Sequence, residues 1–255
     1  MRTDSFAILP GSSFRYRAKA VCQLVDEYEP DLIGVQELTE RMPAQLGDLS
    51  ERYTFYGSGR YGNRSASDER CCILFRKDRF RFVSGQTFWL SETPDQPGSK
   101  FTGSMFPRIA TYAVLEDIEN GLTFTMCNTH MDVLFPFIRE KQCAVLKDVL
   151  HRKREGSFLV LTGDFNAPLS SRAMQEICGG ENILKLKDAL PAEAGTTIRS
   201  LIQAAASRYR PIDHMFLSKE LEVDEAKIIR ALFMGTYPSD HYPVFARFRL
   251  PKKIL

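Results

Sequence analysis

Apolar residues recur with a helical spacing in two long segments of the chain. Residues 15–29 carry their apolar side chains on one helical face, and Pro30 ends the helix. Residues 137–152 predict a second long helix. A shorter helix is expected to begin at Thr39, because threonine is a favourable N-cap residue.

Short apolar runs bounded by turn residues predict β-strands. Residues 31–36 and 158–161 are too brief for helices, so we expect buried strands there. Further strands are predicted at residues 53–56, 71–75, 80–88, 109–115, 122–127, 212–217, 221–229 and 244–250. Because groups of strands separate the few helices, a strictly alternating β-α-β fold is disfavoured. We expect a single α/β domain over residues 1–255, with two packed sheets and helices outside them.

The composition is that of an ordinary globular protein. The chain has 255 residues, of which 44% are hydrophobic and 26% charged, and its 34 basic and 32 acidic side chains give a net charge of +2. These values exclude a disordered, fibrous or collagen-like chain. A net charge this small does not by itself indicate a nucleic-acid or anionic-membrane partner.

Cysteine usage and the lengths of the apolar runs predict the compartment. The six cysteines form no Cys-x-x-Cys pair, and runs such as residues 71–75 suit buried thiols in a reducing environment. No apolar run approaches the ~20 residues of a membrane span. The apolar stretch at residues 5–9 is too short for the core of a secretion signal. We therefore expect a cytoplasmic protein with no membrane span.

Polar side chains follow the apolar strands at five places. They are Gln36-Glu37, Asn128-Thr129-His130-Met131-Asp132, Gly163-Asp164-Phe165-Asn166, Asp213-His214 and Ser239-Asp240-His241. Because strand ends at one edge of a sheet line a cleft, we expect these groups to converge. Carboxylate and amide oxygens without thiolates favour Mg²⁺ or Mn²⁺ over zinc. Histidines beside them can bond a phosphate or assist a leaving oxygen.

Each group also has an ordinary structural interpretation. Glu37 taken alone is more often a solvated turn residue, and residues 163–166 suit a turn held by backbone hydrogen bonds. His130 and His241 taken singly are more often partly buried, hydrogen-bonded histidines, and we keep that interpretation for His214. The joint occurrence of the five groups in this order favours a functional site.

In this order the groups resemble the endonuclease/exonuclease/phosphatase superfamily of metal-dependent phosphoesterases, over nearly the whole chain. Residues 161–168 and 239–244 carry the strongest resemblance, and residues 31–37 and 128–132 support it. The superfamily includes deoxyribonucleases, apurinic endonucleases, deadenylases, inositol-polyphosphate 5-phosphatases and neutral sphingomyelinases. The resemblance implies a four-layer α/β sandwich of two packed mixed β-sheets flanked by helices.

The resemblance also implies roles for single residues. Glu37 would be the principal metal ligand. His130 would contact the scissile phosphate, and Glu69 would be the carboxylate that orients it. Asp164 would orient or deprotonate the attacking water, and Asn166 would hold the phosphate oxygens.

A second carboxylate–histidine pair is implied on the other side of the phosphate. Asp213 would fix the ring of His241 and favour its protonated form, and Asp240 would complete the metal or water network. Arg108 is similar to a superfamily arginine near the substrate. In such a site a divalent ion and a histidinium stabilise the negative charge that develops during phosphodiester attack.

The chain departs from the superfamily pattern at its start. The superfamily opens with a strand of the form Thr-x-Asn, whose asparagine helps to hold the metal-site glutamate, yet no asparagine precedes Asn63 here. Arg2-Thr3-Asp4-Ser5 resembles the segment that follows that strand, and residues 5–9 form only an apolar stub. We therefore expect a truncated first strand, with an upstream strand ending in asparagine in the native reading frame. A genuinely reduced site is the alternative.

Two functions from different classes fit the sequence. The first is a Mg²⁺-dependent phosphoesterase that hydrolyses a phosphodiester or phosphomonoester with water oriented by Asp164. The second is a catalytically impaired phosphate-binding module with an incomplete metal site, which the missing asparagine favours. Magnesium-dependent hydrolysis of bis-p-nitrophenyl phosphate separates them.

The substrate stays open at this point. A nuclease needs a basic, partly aromatic groove, which six residues of the chain can provide. The candidates are Arg60, Tyr61, Arg64, Arg70, Trp89 and Lys100, and they suit ordinary loop residues equally well. A phosphomonoester, a sugar phosphate and a lipid head group fit as well, and the sequence does not predict the oligomeric state.

Overall fold

The computed structural model of the protein describes residues 13–179, 183–200, 204–205 and 207–250. Its helices are α1 (Phe14–Tyr28), α2 (Leu49–Arg52), α3 (Pro136–Lys153) and α4 (Arg172–Cys178). Its strands are β1 (Leu32–Leu38), β2 (Tyr53–Tyr56), β3 (Arg70–Arg76), β4 (Phe80–Trp89), β5 (Ile109–Asp117), β6 (Thr123–His130), β7 (Leu159–Asp164), β8 (Leu186–Asp188), β9 (Asp213–Ser218), β10 (Glu222–Ile228) and β11 (Val244–Arg249). Both long helices and the strands expected from the apolar pattern are confirmed. The apolar stub at residues 5–9 lies outside the described residues.

The larger sheet has the strand order β4-β5-β6-β7-β9-β8. It is mixed, because β6 and β7 are parallel whereas their other neighbours are antiparallel. Helix α3 joins the parallel pair, as a parallel connection requires a crossover. Both faces of this sheet are buried: Tyr112 and Val114 pack with Leu146 of α3, whereas Ala113 packs with Phe75 of the other sheet.

The smaller sheet is antiparallel, with β3 between β1 and β2. Helix α1 covers its outer face, where Val21 packs with Val35 and Leu74. Strands β10 and β11 form a separate antiparallel hairpin. The hairpin also contacts α1, because the rings of Phe245 and Tyr28 lie 5.0 Å apart. The layers are therefore helix, sheet, sheet and helix, which confirms the predicted α/β sandwich.

The prediction of a helix that begins at Thr39 is wrong. Thr39 lies in a turn, where its carbonyl oxygen accepts the N–H of Met42 at 3.2 Å. Pro43 has no N–H to donate to the Thr39 carbonyl four residues earlier, so a helix started there cannot continue. Proline is tolerated in a first helical turn, and the short 3-10 helix begins there instead, at Pro43–Gln45.

Asn128 joins the two sheets through its side-chain amide. Its Nδ2 donates to the carbonyl oxygens of Val35 at 2.8 Å and Cys72 at 2.9 Å. Its Oδ1 accepts from Gln36 Nε2 at 2.6 Å and from Thr162 Oγ1 at 3.0 Å. Strands β6 and β7 of the larger sheet are thereby bonded to β1 and β3 of the smaller one.

All six cysteines are free thiols, and Cys71, Cys72, Cys127 and Cys143 are buried, as the sequence predicts. Burial raises the pKa of the Cys72 and Cys143 thiols to about 12, so both stay protonated at neutral pH. They act as small apolar side chains. No helix within the described ranges is both long enough and apolar enough to cross a bilayer.

Gly156 shapes the turn that leads into β7, and substitution tests that turn. It has a φ of +84°, and a Cβ there would lie 2.0 Å from the Thr123 carbonyl oxygen. Gly235 has a φ of +74° with nothing within 4 Å of such a Cβ, so an alanine there would bring the backbone strain without the clash. We expect Gly235→Ala to lower the free energy of unfolding by about 1–2 kcal/mol, and Gly156→Ala by about 3 kcal/mol or more. Urea denaturation measures both, and equal losses would contradict a steric role for the Thr123 carbonyl.

Candidate active site

Sheet register places three of the expected site residues in one row. His130, at the end of β6, lies opposite Asp164 of β7, and Asp164 lies opposite Asp213 of β9. Paired residues on neighbouring strands project to the same face of a sheet. His130 Nε2 is accordingly 3.6 Å from Asp164 Oδ2. The expected convergence of these strand ends is therefore present.

His241 reaches this row from the loop ahead of β11. Its Nδ1 lies 2.9 Å from Asp213 Oδ2 and 3.8 Å from Asp164 Oδ2. Burial alone would lower the pKa of His241, but the charge of Asp213 and its hydrogen bond outweigh burial and raise the pKa to about 10. The imidazole is therefore a cation at neutral pH, and its Nδ1–H donates to Asp213.

Asp164 is buried beneath these groups. Burial, followed by the charge of Asp213, raises its pKa to about 7 against the opposing charge of His241. Its Oδ1 accepts the backbone N–H of Asn166 at 2.9 Å, which fixes the plane of the carboxyl group. A carboxylate whose pKa lies near neutrality suits a group that takes a proton from water.

Asn166 has its backbone in the left-handed region, with a φ of 50°. Its Nδ2 donates to the carbonyl oxygen of Met131 at 3.0 Å, so the side chain is tied to the segment that follows β6. One amide hydrogen is committed to this bond. The second amide hydrogen and the Oδ1 atom are the groups with which Asn166 can meet a ligand.

His130 and Arg108 form a second part of the site with different electrostatics. Burial, together with the charges of Arg108 and His241, lowers the pKa of His130 well below its ordinary value, so this ring is neutral at pH 7. Arg108 is only 7% exposed and lines the same hollow as His130. Its guanidinium forms no hydrogen bond or ion pair with any residue that the structure describes, and its Nε is a buried donor without a partner.

Glu37 lies on the rim of this hollow, near the end of β1. The register of β1 against β3 shifts between Val35 and Leu38, and Glu37 has a φ of 58° within that bulge. A left-handed conformation is uncommon for a non-glycine residue. Bulges re-aim side chains beside functional sites, and this one sets the direction of the Glu37 carboxylate.

Glu69 lines the hollow but does not pair with His130 as expected. Its Oε2 lies 2.6 Å from Arg60 Nη1, and the Arg60 N–H donates to the Glu69 carbonyl oxygen at 2.9 Å. Main chain and side chain thus hold the two residues together, and the carboxylate neutralises Arg60. His130 Nε2 instead faces Asp164.

Asp240 lies in the connection between β10 and β11, next to His241, and its charge contributes to the raised pKa of that histidine. Its carbonyl oxygen accepts the N–H of Arg199 at 3.1 Å, and Arg199 Nη1 donates to the Ser239 carbonyl at 3.1 Å. These bonds anchor the loop. Asp240 and Glu37 line the same large cavity from two different parts of the chain.

Two sets of side chains are candidates for a metal site. Asp164, Asp213 and His241 offer ligand atoms within 4.8 Å of one another. However, the proton on His241 Nδ1 is bonded to Asp213, and a ligating imidazole nitrogen must be unprotonated. Glu37 and Asp240 supply carboxylate oxygens, the ligands that Mg²⁺ and Mn²⁺ prefer. Their chemistry therefore fits a hard divalent cation.

Two buried polar residues support the site: Asn128, whose own role the sequence does not predict, and His214, whose interpretation as a buried, hydrogen-bonded histidine is confirmed. Asn128 joins the sheets behind the site, and His214 is a buried residue whose Nδ1 lies 2.7 Å from Asp188 Oδ2. The Nε2 of His214 lies 3.1 Å from the Ala167 carbonyl, so the pair supports the loop that follows β7. The only sequence signal was position: His214 follows Asp213 in a strand, and alternation sends it to the opposite face.

The candidate groove residues differ in exposure and in the partners they already have. Trp89 is buried with Cys71 and Ile109, and its Nε1 donates to the Arg60 carbonyl at 2.6 Å, so it is not available for base stacking. Arg70 lies 3.7 Å from Glu40 in an ion pair. Tyr61, Arg64 and Lys100 are exposed loop residues.

The chain resembles a known family and a curated relative over most of its length. The profile of the Endonuclease/Exonuclease/phosphatase family matches residues 8–241. The 3'-5'-exoribonuclease subunit Ccr4 of the CCR4-Not complex from Candida albicans is 23% identical over 299 residues, which cover 93% of this chain and 38% of that protein. The chain thus spans little more than a third of the length of this relative.

Two solved structures resemble this one over most of their length. An endonuclease/exonuclease/phosphatase from Bacteroides vulgatus is 27% identical with a TM-score of 0.81, and the match covers 95% of this chain and 93% of that one. A mannosyl-6-phosphatase from Bacteroides thetaiotaomicron is 26% identical with a TM-score of 0.78, and covers 98% and 96%. Profile, fold and the convergence of the strand-end motifs agree: the chain belongs to the Endonuclease/Exonuclease/phosphatase family.

Proposed function

We propose that the protein is a divalent-metal-dependent phosphoesterase that hydrolyses a phosphate ester by attack of water at phosphorus. Membership of the Endonuclease/Exonuclease/phosphatase family supports the reaction class. The geometry supports the assignment of residues, because the Glu37 carboxylate, suited to a cation, and the Arg108 guanidinium, suited to an anion, line one hollow. The impaired binding module is not favoured, since the acidic residues and both histidines converge.

The observation that carries the proposal is the buried guanidinium of Arg108. It is 7% exposed, and no carboxylate among the described residues forms an ion pair with it. An unpaired buried charge is costly, so such a position suits an anion that arrives with the ligand. Phosphate fits, because arginine bonds phosphate oxygens in a bidentate geometry. Glu37 lines the same hollow and would repel phosphate unless a cation lies between them.

The residues of the row divide the work of proton transfer and charge stabilisation. Asp164, with its pKa of about 7, would orient the attacking water and accept its proton. The His241 cation, held by Asp213, would stabilise negative charge that develops on the phosphoryl oxygens. The neutral ring of His130 would bond one phosphate oxygen, and the amide of Asn166 would hold another.

Glu37 and Asp240 are the residues that would hold the metal. When bound, a divalent ion supplies Lewis-acid polarisation of the phosphoryl group. Both ligands are carboxylates. The sulfur of Cys71 also lines the hollow, but burial raises the pKa of this thiol, so it stays protonated and offers no thiolate that would favour zinc. This chemistry favours Mg²⁺, with Mn²⁺ as its substitute.

The organic group of the phosphate ester is to be identified by experiment. The named relatives include an exoribonuclease and a sugar phosphatase, so diesters and monoesters are both candidates. Single-stranded RNA, single-stranded DNA, a hexose 6-phosphate and bis-p-nitrophenyl phosphate form a panel that separates these classes. Metal-dependent release of phosphate or p-nitrophenol from any of them supports the proposal, and inactivity on all of them opposes it.

Substitution of Asp164 or His241 tests the assigned roles. We expect Asp164→Asn and His241→Ala each to lower kcat by at least ~10²-fold, the scale of a lost acid–base or electrostatic contribution. The melting temperature should change little. His151→Ala, at an exposed position on α3, is the matched control and should keep normal turnover. Near-normal kcat in either site variant would refute the roles given to Asp164 and His241.

Removal and return of metal tests the ligand assignment. Chelation should abolish hydrolysis, and Mg²⁺ or Mn²⁺ should restore it, because the expected ligands are oxygens. Glu37→Gln should raise the metal concentration needed for half-restoration by at least ~10-fold. Glu40→Gln, on an exposed side chain nearby, should leave that concentration unchanged. Hydrolysis that survives exhaustive chelation would be incompatible with the mechanism.

Proton NMR titration of the metal-free protein tests the Asp213–His241 pair. Asp213→Asn removes the charge and the acceptor that favour the protonated ring, so burial should then pull the pKa of His241 down from about 10, by about 1–3. Asp188→Asn is the control, because Asp188 faces His214 and not His241. An unchanged His241 pKa in Asp213→Asn would show that another group protonates the ring.

A further inference from the structure

Five consecutive apolar residues are exposed where the chain passes from β6 into the first turn of α3. They are Val133, Leu134, Phe135, Pro136 and Phe137, which we call the apolar loop. Val133 and Phe137 are more than half exposed, at 55% and 54%. The rings of Phe135 and Phe137 lie 5.6 Å apart, and both are open to solvent. A contiguous exposed apolar patch indicates a binding site, whereas a single exposed apolar side chain does not.

The backbone of the apolar loop is fixed by Asp132, which is only 2% exposed. Its Oδ1 accepts the N–H groups of Leu134 at 2.9 Å and Phe135 at 3.1 Å. Arg139 Nη1 donates to the carbonyl oxygens of Asp132 at 2.9 Å and Val133 at 3.2 Å. Buried and partly buried polar groups thus hold apolar side chains in water. Because the loop is already ordered, a ligand that binds there has little ordering entropy to overcome.

The apolar loop begins beside the candidate active site. Val133 lies three positions after His130, and three residues span at most about 11 Å. Between them, the carbonyl oxygen of Met131 accepts Asn166 Nδ2 at 3.0 Å, and its N–H donates to the Asp164 carbonyl at 2.9 Å. The segment that leads into the loop is therefore bonded to two residues of the candidate site.

Arg139 also links the apolar loop to the candidate site electrostatically. Burial lowers the pKa of its guanidinium, and the charges of Asp132 and Asp164 oppose that shift. The cation that holds the Val133 carbonyl thus lies within the field of the Asp164 carboxylate. The loop and the row of site residues are parts of one surface.

A further exposed apolar side chain, Met105, adjoins this surface from the segment ahead of β5. Met105 is 58% exposed. The hydroxyl of the preceding residue, Ser104, lies 2.9 Å from Asp132 Oδ2. A Cβ on Gly103 would lie 3.9 Å from Ile138 Cδ1, so this segment packs against the start of α3. Met105 therefore lies next to the segment that carries the apolar loop.

We propose that the apolar loop binds the organic group of the phosphate ester, and that this group presents an apolar ring to Phe135 and Phe137. The inference deepens the proposed function and rests on it, because the phosphate must lie near Arg108 and His130 for its organic group to reach the loop. Two rings 5.6 Å apart fall within the spacing of aromatic pairs, so a third ring can contact both.

The chemistry of the loop favours an apolar ring over a hexose. The side chains of valine, leucine, proline and phenylalanine contain no hydrogen-bond donor or acceptor. Hydroxyl groups of a hexose would lose water there without gaining a partner, which costs free energy. An apolar ring gains from the same contact, because it removes apolar surface from water on both sides.

Binding of two phosphonates tests the proposal. Methylphosphonate and benzylphosphonate carry the same anionic group, and only the second adds an aromatic ring. With Mg²⁺ present, we expect calorimetry to show a Kd for benzylphosphonate at least about 10-fold lower than that for methylphosphonate. In Phe135→Ser/Phe137→Ser this preference should fall to about 2-fold or less, with an unchanged Kd for methylphosphonate.

Two control variants separate ring contact from general surface effects. Ile118→Ser removes an apolar side chain that is 56% exposed in the turn at the opposite end of β6, and should keep the preference. Phe135→Tyr/Phe137→Tyr retains both rings and should also keep it. The proposal is wrong if the serine variant prefers benzylphosphonate as strongly as the unmodified protein, or if the tyrosine variant loses the preference as the serine variant does.

A bilayer and a second copy of the chain are the other possible occupants of an exposed apolar loop. Co-sedimentation with vesicles of phosphatidylcholine and phosphatidylserine tests the first, and analytical ultracentrifugation tests the second. If the serine substitutions abolish vesicle binding or dimer formation while the preference for benzylphosphonate is unchanged, the loop does not bind the substrate and the proposal is overturned.

Hydrolysis of bis-p-nitrophenyl phosphate is measured separately, so that the two proposals can fail independently. A preference for the ring that depends on Phe135 and Phe137, without any hydrolysis, would support the role of the loop and oppose the phosphoesterase. Metal-dependent hydrolysis without a preference for the ring would support the phosphoesterase and oppose the role of the loop. Failure to bind either phosphonate would oppose both.

Discussion

The side-chain amide of Asn128 determines how the two sheets meet, and the candidate site depends on that contact. Its four hydrogen bonds reach β1, β3 and β7 from β6, in a fully buried position. A buried amide is costly unless every bond is made, so the strands that surround it have little freedom to slide. Gly34 makes the approach possible, because a Cβ there would lie 2.1 Å from Thr162 Oγ1. Just beyond this contact, β1 presents Glu37 and β6 presents His130.

On that framework the two histidines take opposite charge states for identifiable reasons. His241 faces Asp213 and Asp164, so its proton is retained, whereas His130 faces Arg108 and loses its proton to burial and repulsion. Positive charge is thus concentrated on the two flanks of the row. An anion between His241 and Arg108 would meet positive charge on both sides, so His130 would not need to be protonated to hold it. Burial, followed by the charge of Asp213, likewise raises the pKa of Asp164.

The convergence of the polar groups could be predicted, because they follow apolar strands and strand ends at one edge of a sheet line a cleft. Asp164 could be placed beside its partners in this way. Contacts between loop residues could not be predicted in this way. Glu69 bonds Arg60 through both main chain and side chain, and this contact depends on how the loop folds. The predicted helix at Thr39 is wrong because Pro43, four residues later, lacks the N–H that the helix needs, and this outweighs the capping preference of threonine. The role of Asn128 involves partners far apart in the sequence, which no local pattern reveals.

The site draws its groups from two parts of the fold with different support. His130, Asp164 and Asp213 stand on neighbouring strands inside the larger sheet, where each has bonded strands on both sides. Glu37 and Asp240 belong to β1 and to the loop ahead of β11, and both line one cavity. Under the proposed function, proton transfer would depend on strands that are bonded on both sides, whereas metal binding would depend on β1 and the loop ahead of β11, both of which α1 contacts. A change in the distance between β1 and the loop ahead of β11 would therefore act first on Glu37 and Asp240, the carboxylates proposed to hold the metal, and through them on the proposed hydrolysis.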